Sequence, residues 1–235
     1  MCWSATASLA LGSAGLGVAG YAATKGESKY FTIPLVYFSL MEFLQYFSYA
    51  SINQCALESN TWLTLLSYIH IAFQPLFFNM LFMATLPVEK RTKRIVFAIS
   101  LVVTALLLFK LVPIVPTALC AAGETLCGPQ LCSVSGNWHL AWQVPLYDAP
   151  IPGDIFYYYG FAIFIVPLFY GAWIGVALGL TTGPILTYLL TSGNPNEWPA
   201  VWCLFSVAYI LLGLTPFYRQ VMTNVRQQLD DRRAR

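Results

Sequence analysis

Residues 88–110 read VEKRTKRIVFAISLVVTALLLFK, a group of four basic residues followed by an uninterrupted apolar run. A helix needs roughly 20 predominantly apolar residues to cross a bilayer, and the run from 95 to 113 is of that length. Basic residues flank membrane helices on the cytoplasmic side. This stretch therefore predicts a transmembrane helix that begins inside the cell.

The other basic residues extend the same pattern. Of the twelve Lys and Arg residues, all but Lys110 fall into three clusters that can share one side of a membrane: Lys25 and Lys29; Lys90, Arg91, Lys93 and Arg94; and Arg219, Arg226, Arg232, Arg233 and Arg235. Lys110 lies near the outer end of its span, and we expect its side chain to snorkel to the outer interface.

Composition supports a membrane protein. The chain is 58% hydrophobic and 9% charged, with a mean hydropathy of +0.64, whereas soluble domains carry about 25% charged residues. A nucleic-acid-binding role is excluded, because the basic residues sit in short loops beside apolar spans instead of forming a basic face.

The apolar runs predict an all-α, polytopic helix bundle with seven transmembrane helices, the N-terminus outside and the C-terminus in the cytoplasm. The spans are roughly 5–24, 31–53, 61–86, 95–113, 154–174, 176–192 and 198–218. They divide the chain into a membrane domain, 1–218, with an outer cysteine-rich loop at about 114–153, and a basic cytoplasmic tail, 219–235. The expected location is the plasma (bacterial inner) membrane, with the lipid bilayer as the first partner.

The sequence marks the boundary between the fifth and sixth spans less clearly than the other boundaries. Residues 154–192 hold no charge after Asp154, and a soft inner hairpin around 175–183, rich in Gly and Thr, divides them. A single long span would instead place the Arg-rich tail outside, against the charge rule.

All six cysteines fall on the predicted outer side: Cys2, Cys55, Cys120, Cys127, Cys132 and Cys203. Disulfides persist in such oxidising compartments, and the spacing of the last loop cysteines does not match a CxxC zinc knuckle. We therefore expect disulfides, with two bridges among Cys55, Cys120, Cys127 and Cys132. The spacing leaves the connectivity open.

Polar residues inside the second and third spans form the candidate site. Glu42 and Gln45 are three residues apart and His70 and Gln74 are four apart, so each pair shares a helix face. A carboxylate within a membrane is costly and marks a functional site. We expect Glu42 and His70 to pair, with Gln45 and Gln74 completing the pocket; a purely structural helix lock is the alternative.

His139 follows in the outer segment NWHLAWQ, residues 137–143. It is a candidate to cap the pocket or to act as a metal ligand, and the alternative is a Trp-rich segment in the headgroup layer. A divalent transition metal would use Glu42, His70 and His139, because two histidines cannot form a three-histidine zinc site. The chain has no P-loop, GxSxG, HExxH or GxGxxG motif, which leaves open whether the site is catalytic.

Several short motifs also carry a resemblance: Met-Cys-Trp-Ser at the start, Met41-Glu42-x-Leu44-Gln45, Leu65-Leu66-Ser67-Tyr68-x-His70, Leu126-Cys127-Gly128 and Trp138-His139-x-Ala141-Trp142. Together they resemble an uncharacterised multi-pass membrane family, a domain of unknown function with no assigned reaction. A looser similarity to a second group, whose chains begin Met-Cys-Phe-Ser and carry Leu-Trp-Cys in the last span, implies a Cys2–Cys203 pair. That group has Gln-x-x-Glu where this chain has Glu42-x-x-Gln45.

Three functions compete on this basis. The first is an outward-opening intramembrane site for a metal ion or small polar ligand. The second is a seven-helix sensor or carrier in which a Glu42–His70 pair titrates. The third is a structural subunit of a larger membrane complex, with membrane proteins as partners.

Overall fold

The computed structural model describes residues 3–84 and 86–213. These residues form seven helices: α1 Ala5–Thr24, α2 Lys29–Tyr49, α3 Glu58–Ala84, α4 Lys90–Phe109, α5 Ile155–Tyr170, α6 Trp173–Leu190 and α7 Trp198–Gly213. Three of them, α3, α4 and α6, are long and apolar enough to cross a membrane. Cys2 and the predicted tail 219–235 lie outside the described residues.

The loop between α4 and α5 departs from the all-α prediction. It contains a two-stranded antiparallel hairpin in which β1 (Cys132–Ser135) pairs with β2 (Leu140–Gln143) and Cys132 lies opposite Gln143. The alternation within SVSGNWHLAWQ is too short to separate a strand from a loop by sequence pattern alone. Trp142 on β2 is 1% exposed, so this tryptophan packs inside the protein.

Four segments that the sequence predicts to be outside contact one another at one end of the bundle. The backbone N–H of Trp3 donates to the carbonyl of Trp138 at 3.1 Å, and that of Asn53 donates to Ser133 at 3.0 Å. The α6–α7 connection reaches the same hairpin through Asn196, whose backbone carbonyl accepts from Trp142 at 2.9 Å. The N-terminus and the α2–α3, α4–α5 and α6–α7 connections therefore form one cap.

Two disulfides stabilise this cap. They join Cys55 to Cys132 and Cys120 to Cys127, which confirms the prediction of two bridges among these four residues. The first bridge links the α2–α3 connection to β1. Beside it, the side chain of Asn60 accepts from the backbone N–H of Ser133 at 2.8 Å and donates to the carbonyl of Ser51 at 2.7 Å.

Lys110 at the end of α4 does not snorkel. It is 2% exposed, and its Nζ donates to Asp148 Oδ1 at 2.6 Å, to the carbonyl of Ile151 at 3.0 Å and to that of Gly153 at 2.8 Å. The ammonium has three N–H donors, and the protein provides an acceptor for each. The lysine thus fastens the end of α4 to the chain entering α5.

The division between α5 and α6 comes earlier than the sequence predicts. α5 widens to a π-helical turn over Phe161–Ile165, tightens over Val166–Tyr170 and ends at Gly171, whose φ is +88°. Glycine adopts this left-handed conformation at no steric cost. The predicted hairpin at 175–183 is therefore wrong: that stretch lies within α6, which kinks at Gly183 and Pro184.

Glycines bring α1 close to α2. A Cβ added at Gly15 would lie 2.1 Å from the hydroxyl of Ser39, and one at Gly12 would lie 3.1 Å from the Cβ of Glu42. Small residues allow this approach between membrane helices. Gly17 and Gly20 have open space around them, so it is Gly12 and Gly15 that permit the close approach.

Candidate functional site

Glu42 lies on α2, on the face covered by α1. Its side chain is fully buried, and among the described residues neither carboxyl oxygen makes a hydrogen bond of normal geometry. The hydroxyl of Ser8 on α1 approaches the carboxyl, and it in turn accepts a 2.8 Å hydrogen bond from Trp3 Nε1. Because Trp3 acts as the donor in that bond, the Ser8 hydroxyl hydrogen stays available to the carboxyl.

Gln45 lies one turn nearer the cap on the same face. Its Nε2 donates to the carbonyl of Ala200 on α7 at 3.3 Å, whereas its Oε1 is buried without a partner in the described part of the chain. Glu42 and Gln45 together place three unpartnered acceptor oxygens on neighbouring turns of α2. Unpaired buried polar atoms are rare in proteins and call for an explanation.

Gln74 reaches this region from α3. Its Nε2 contacts the sulfur of Cys203 on α7 at 3.0 Å, and its Oε1 accepts a hydrogen bond from the hydroxyl of Tyr159 on α5. Cys203 is buried, carries a free thiol and lies within electrostatic range of Glu42. The free thiol differs from the Cys2–Cys203 pair that the resemblance implies.

His70 does not join Glu42, and the predicted pair is wrong. Its Nε2 contacts the carbonyl of Tyr37 at 2.8 Å, and its ring stacks on the Tyr37 ring with centroids 3.8 Å apart. The Tyr37 hydroxyl returns a hydrogen bond to the carbonyl of His70. The chain thus supplies His70 Nε2 with its own partner, while Nδ1 is buried without one among the described residues.

The error lies in the register between α2 and α3. Counting residues from the outer ends of the predicted spans places His70 level with Gln45. In the structure α2 ends at Tyr49 and α3 begins at Glu58. These ends shift the register, and His70 lies beside Tyr37. The difference of eight residues corresponds to about 12 Å along a helix.

His139 lies at the start of β2, above α2. Its Nδ1 accepts the Leu140 backbone N–H at 2.7 Å and contacts the Tyr49 hydroxyl at 3.0 Å. The ring proton therefore sits on Nε2, which has no partner among the described residues. Trp3 and Trp138 stack together over this residue, with the Trp3 and His139 ring centroids 5.8 Å apart.

Tyr49 connects His139 to the deeper residues. It is seven residues from Glu42, on the same face of α2, and its hydroxyl contacts His139 Nδ1 at 3.0 Å. His139 therefore lies at the cap end of the α2 face that carries Glu42, and its role as a cap stays a prediction.

Glu197 holds the cap over this region. Its fully buried carboxylate accepts from three consecutive backbone N–H groups, those of Asn137 at 2.8 Å, Trp138 at 2.6 Å and His139. The turn before β2 is thereby fixed to the start of α7. Gly136 permits the approach, since a Cβ there would lie 2.5 Å from Glu197 Cδ.

Burial lowers the pKa of His139 to about 3, which predicts a pH dependence. The pKa of histidine in an unfolded chain is about 6.5. Between about pH 6.5 and 3, His139 is therefore protonated in the unfolded chain but not in the folded one. Stability contributed by neutral His139 is present above pH 6.5 and is lost as the pH falls. Lowering the pH from 7 to 4.5 should cost about 2–3 kcal/mol through this group.

Thermal unfolding in detergent across this range measures the effect. His139→Asn is the control, because its Oδ1 can replace Nδ1 as an acceptor but does not titrate. The wild type should lose more stability on acidification than the variant, and parallel losses would contradict the assignment.

A metal centre receives no support. No group of three or more His, Cys, Asp or Glu side chains gathers within residues 3–84 and 86–213. Glu42, His70 and His139 therefore do not form the predicted ligand set. Asp148, an acid of the outer loop, is paired with Lys110.

Ser8, Tyr49, Tyr159 and Glu197 are site residues that the sequence analysis missed. Tyr49 had a signal, because it continues the i, i+3, i+7 series begun by Glu42 and Gln45. No sequence signal marked Ser8, Tyr159 and Glu197, because each reaches the site from a helix or connection that is distant in sequence.

The comparisons with known proteins agree with the resemblance. Residues 6–223 match the model of DUF5765, a family of unknown function, and the chain belongs to this family. No curated protein and no solved structure matches it.

Proposed function

We propose, for a chain whose family has no assigned activity, that the Glu42 face binds a small polar ligand entering from the outer side of a membrane. The observation that carries this proposal is the set of three buried acceptor oxygens, on Glu42 and Gln45, without a partner in the described residues. A structural polar lock would pair these atoms, because burying a carboxyl unpaired costs several kcal/mol.

The chain's described cations lie elsewhere. Lys110 is used by Asp148 and two carbonyls. The others lie around the α1–α2 and α3–α4 connections, at the end of the bundle opposite the cap: Lys25, Lys29, Lys90, Arg91, Lys93 and Arg94. An external ligand is therefore the natural partner for the Glu42 carboxyl.

The proposal includes the finer topology. All seven helices would cross a plasma membrane, with the N-terminus and cap outside and the basic connections in the cytoplasm. The contacts that join the four cap segments support this arrangement, because each pair of crossings returns the chain to the side on which it started. The lack of Lys and Arg in the cap apart from buried Lys110 is consistent with the charge rule.

Labelling of introduced cysteines tests the topology. Ser135→Cys should react with an impermeant thiol reagent in intact cells, and Thr92→Cys should react only after the cells are permeabilised. Labelling of Thr92→Cys in intact cells would overturn the seven-span arrangement.

A pH sensor built on a Glu42–His70 pair loses its basis, because His70 is bonded to Tyr37. A binding site needs no such pair. The Gln74 amide is engaged by Cys203 and Tyr159, whereas the Glu42 carboxyl and Gln45 Oε1 have no partner among the described residues.

A thermal-unfolding panel tests the binding function. Purified full-length protein is heated with neutral, anionic and cationic small polar compounds, alongside Glu42→Gln and the matched variant Glu58→Gln, which changes an exposed glutamate. At least one compound class should raise the melting temperature of the wild type and Glu58→Gln but not that of Glu42→Gln. Equal responses in all three proteins would refute a Glu42 site.

A further inference from the structure

We propose that the ligand of the Glu42 site is a small ammonium cation, ammonium itself or a short primary alkylammonium. This inference rests on the proposed function and specifies its ligand class. Among the described residues, Glu42 Oε1, Glu42 Oε2 and Gln45 Oε1 accept no hydrogen bond of normal geometry, although the Ser8 hydroxyl approaches the carboxyl. A primary ammonium carries three N–H donors, which matches three acceptors in number.

The amide donors beside Glu42 are already committed, and the unpartnered Nε2 of His139 lies above them in the cap. Gln45 Nε2 donates to Ala200 and Gln74 Nε2 points to Cys203, so a ligand that needs donors from these amides would have to break existing bonds. The Ser8 hydroxyl is directed to the carboxyl side of the site. A ligand that donates therefore fits better than one that accepts.

Charge favours a cation over a neutral donor. An ionised carboxyl in an apolar region is stabilised by an opposite charge in contact with it. The described lysines and arginines do not reach Glu42, since Lys110 is held by Asp148 and the rest flank the opposite end of the bundle. The ligand supplies the charge that the protein does not.

Packing limits the size of the cation. Glu42 and Gln45 are both fully buried, and α1 approaches so closely at Gly12 that an added Cβ would contact Glu42 and Phe43. Above them, Trp3 and Trp138 cover His139. This close packing favours an ammonium or methylammonium ion over a large amine.

Divalent metal ions fit poorly. Calcium takes six to eight oxygen ligands and magnesium takes six in a regular octahedron. Two side chains with three free oxygens fall short of either requirement. Sodium and potassium offer the charge but no N–H donors, so they are the relevant competitors.

Equilibrium dialysis of radiolabelled methylammonium against purified full-length protein tests the inference. Wild type and Glu58→Gln should bind the label saturably, Glu42→Gln should lose binding, and Gln45→Met should bind about tenfold more weakly, as expected for one lost hydrogen bond. Ammonium should displace the label, whereas tetramethylammonium, which has the charge but no N–H donor, should not.

The outcomes separate this inference from the proposed function. If sodium, potassium or tetramethylammonium displaces the label as well as ammonium does, recognition by N–H donors is wrong. If methylammonium does not bind while a neutral or anionic compound stabilises the protein through Glu42, the ligand class is wrong but the site stands. If no compound acts through Glu42, both are wrong. Should Glu42→Gln fail to fold, undiminished binding by folded Gln45→Met would overturn the inference.

Discussion

Replacing Glu197 with glutamine should lower the free energy of unfolding by about 3–5 kcal/mol. The carboxylate is fully buried and accepts the backbone N–H groups of residues 137–139. A glutamine retains one acceptor oxygen and turns an NH2 group toward backbone donors that need an acceptor. Oε1 accepts from Trp138 and His139 and Oε2 accepts from Asn137. The glutamine therefore loses one bond outright and removes the charge from the other two, and a hydrogen bond to a charged group is worth about 1.5–3 kcal/mol.

Thermal or denaturant unfolding of the purified protein measures this loss, with Glu58→Gln as the matched exposed control. Hydrogen exchange gives a local readout, because the amides of Asn137, Trp138 and His139 should lose protection in Glu197→Gln. Unchanged stability and unchanged protection at these three amides would contradict the role assigned to Glu197.

Replacing Lys110 with methionine should cost about 2–4 kcal/mol. The change keeps the length of the side chain but leaves Asp148 and the carbonyls of Ile151 and Gly153 without their donor. Asp148 has a side chain 28% exposed, so water can recover part of the loss at the carboxylate. The buried carbonyl contacts supply the rest.

A double-mutant cycle separates the ion pair from the other contacts. Asp148→Asn alone removes the charge partner, and Lys110→Met with Asp148→Asn should cost less than the sum of the two single changes. Lys25→Met, at an exposed lysine, is the control for charge removal. Additive single effects would show that Lys110 and Asp148 are not coupled.

The helix order could be predicted because apolar length and basic clusters are local signals. The clusters at Lys25–Lys29 and at 90–94 mark two connections, and the cysteines mark the cap. The α5–α6 boundary could not be placed correctly, because Gly171 ends α5 whereas Gly175, Gly179 and Gly183 lie within α6. Sequence alone does not separate a glycine that ends a helix from one that lets helices pack.

Part of the site could be predicted, because a polar residue in an apolar span is also a local signal. Glu42, Gln45 and Gln74 are polar residues in apolar spans, and the structure brings them into one region with Cys203. The partner of His70 depended on the α2–α3 register, and an error of eight residues placed His70 beside Gln45 when it lies beside Tyr37. Ser8 and Tyr159 could not be found, because hydroxyl residues are common in apolar helices and only tertiary packing selects these two.

The infrared band of the Glu42 carboxyl tests the central claim most directly. The band is identified as the one that is lost in Glu42→Gln, and it is recorded with and without a compound that stabilises the wild type in the thermal panel. The account predicts that this band shifts when the compound binds, because the ligand contacts the carboxyl oxygens. A compound that stabilises the protein while the Glu42 band stays unchanged would place binding elsewhere and contradict the account.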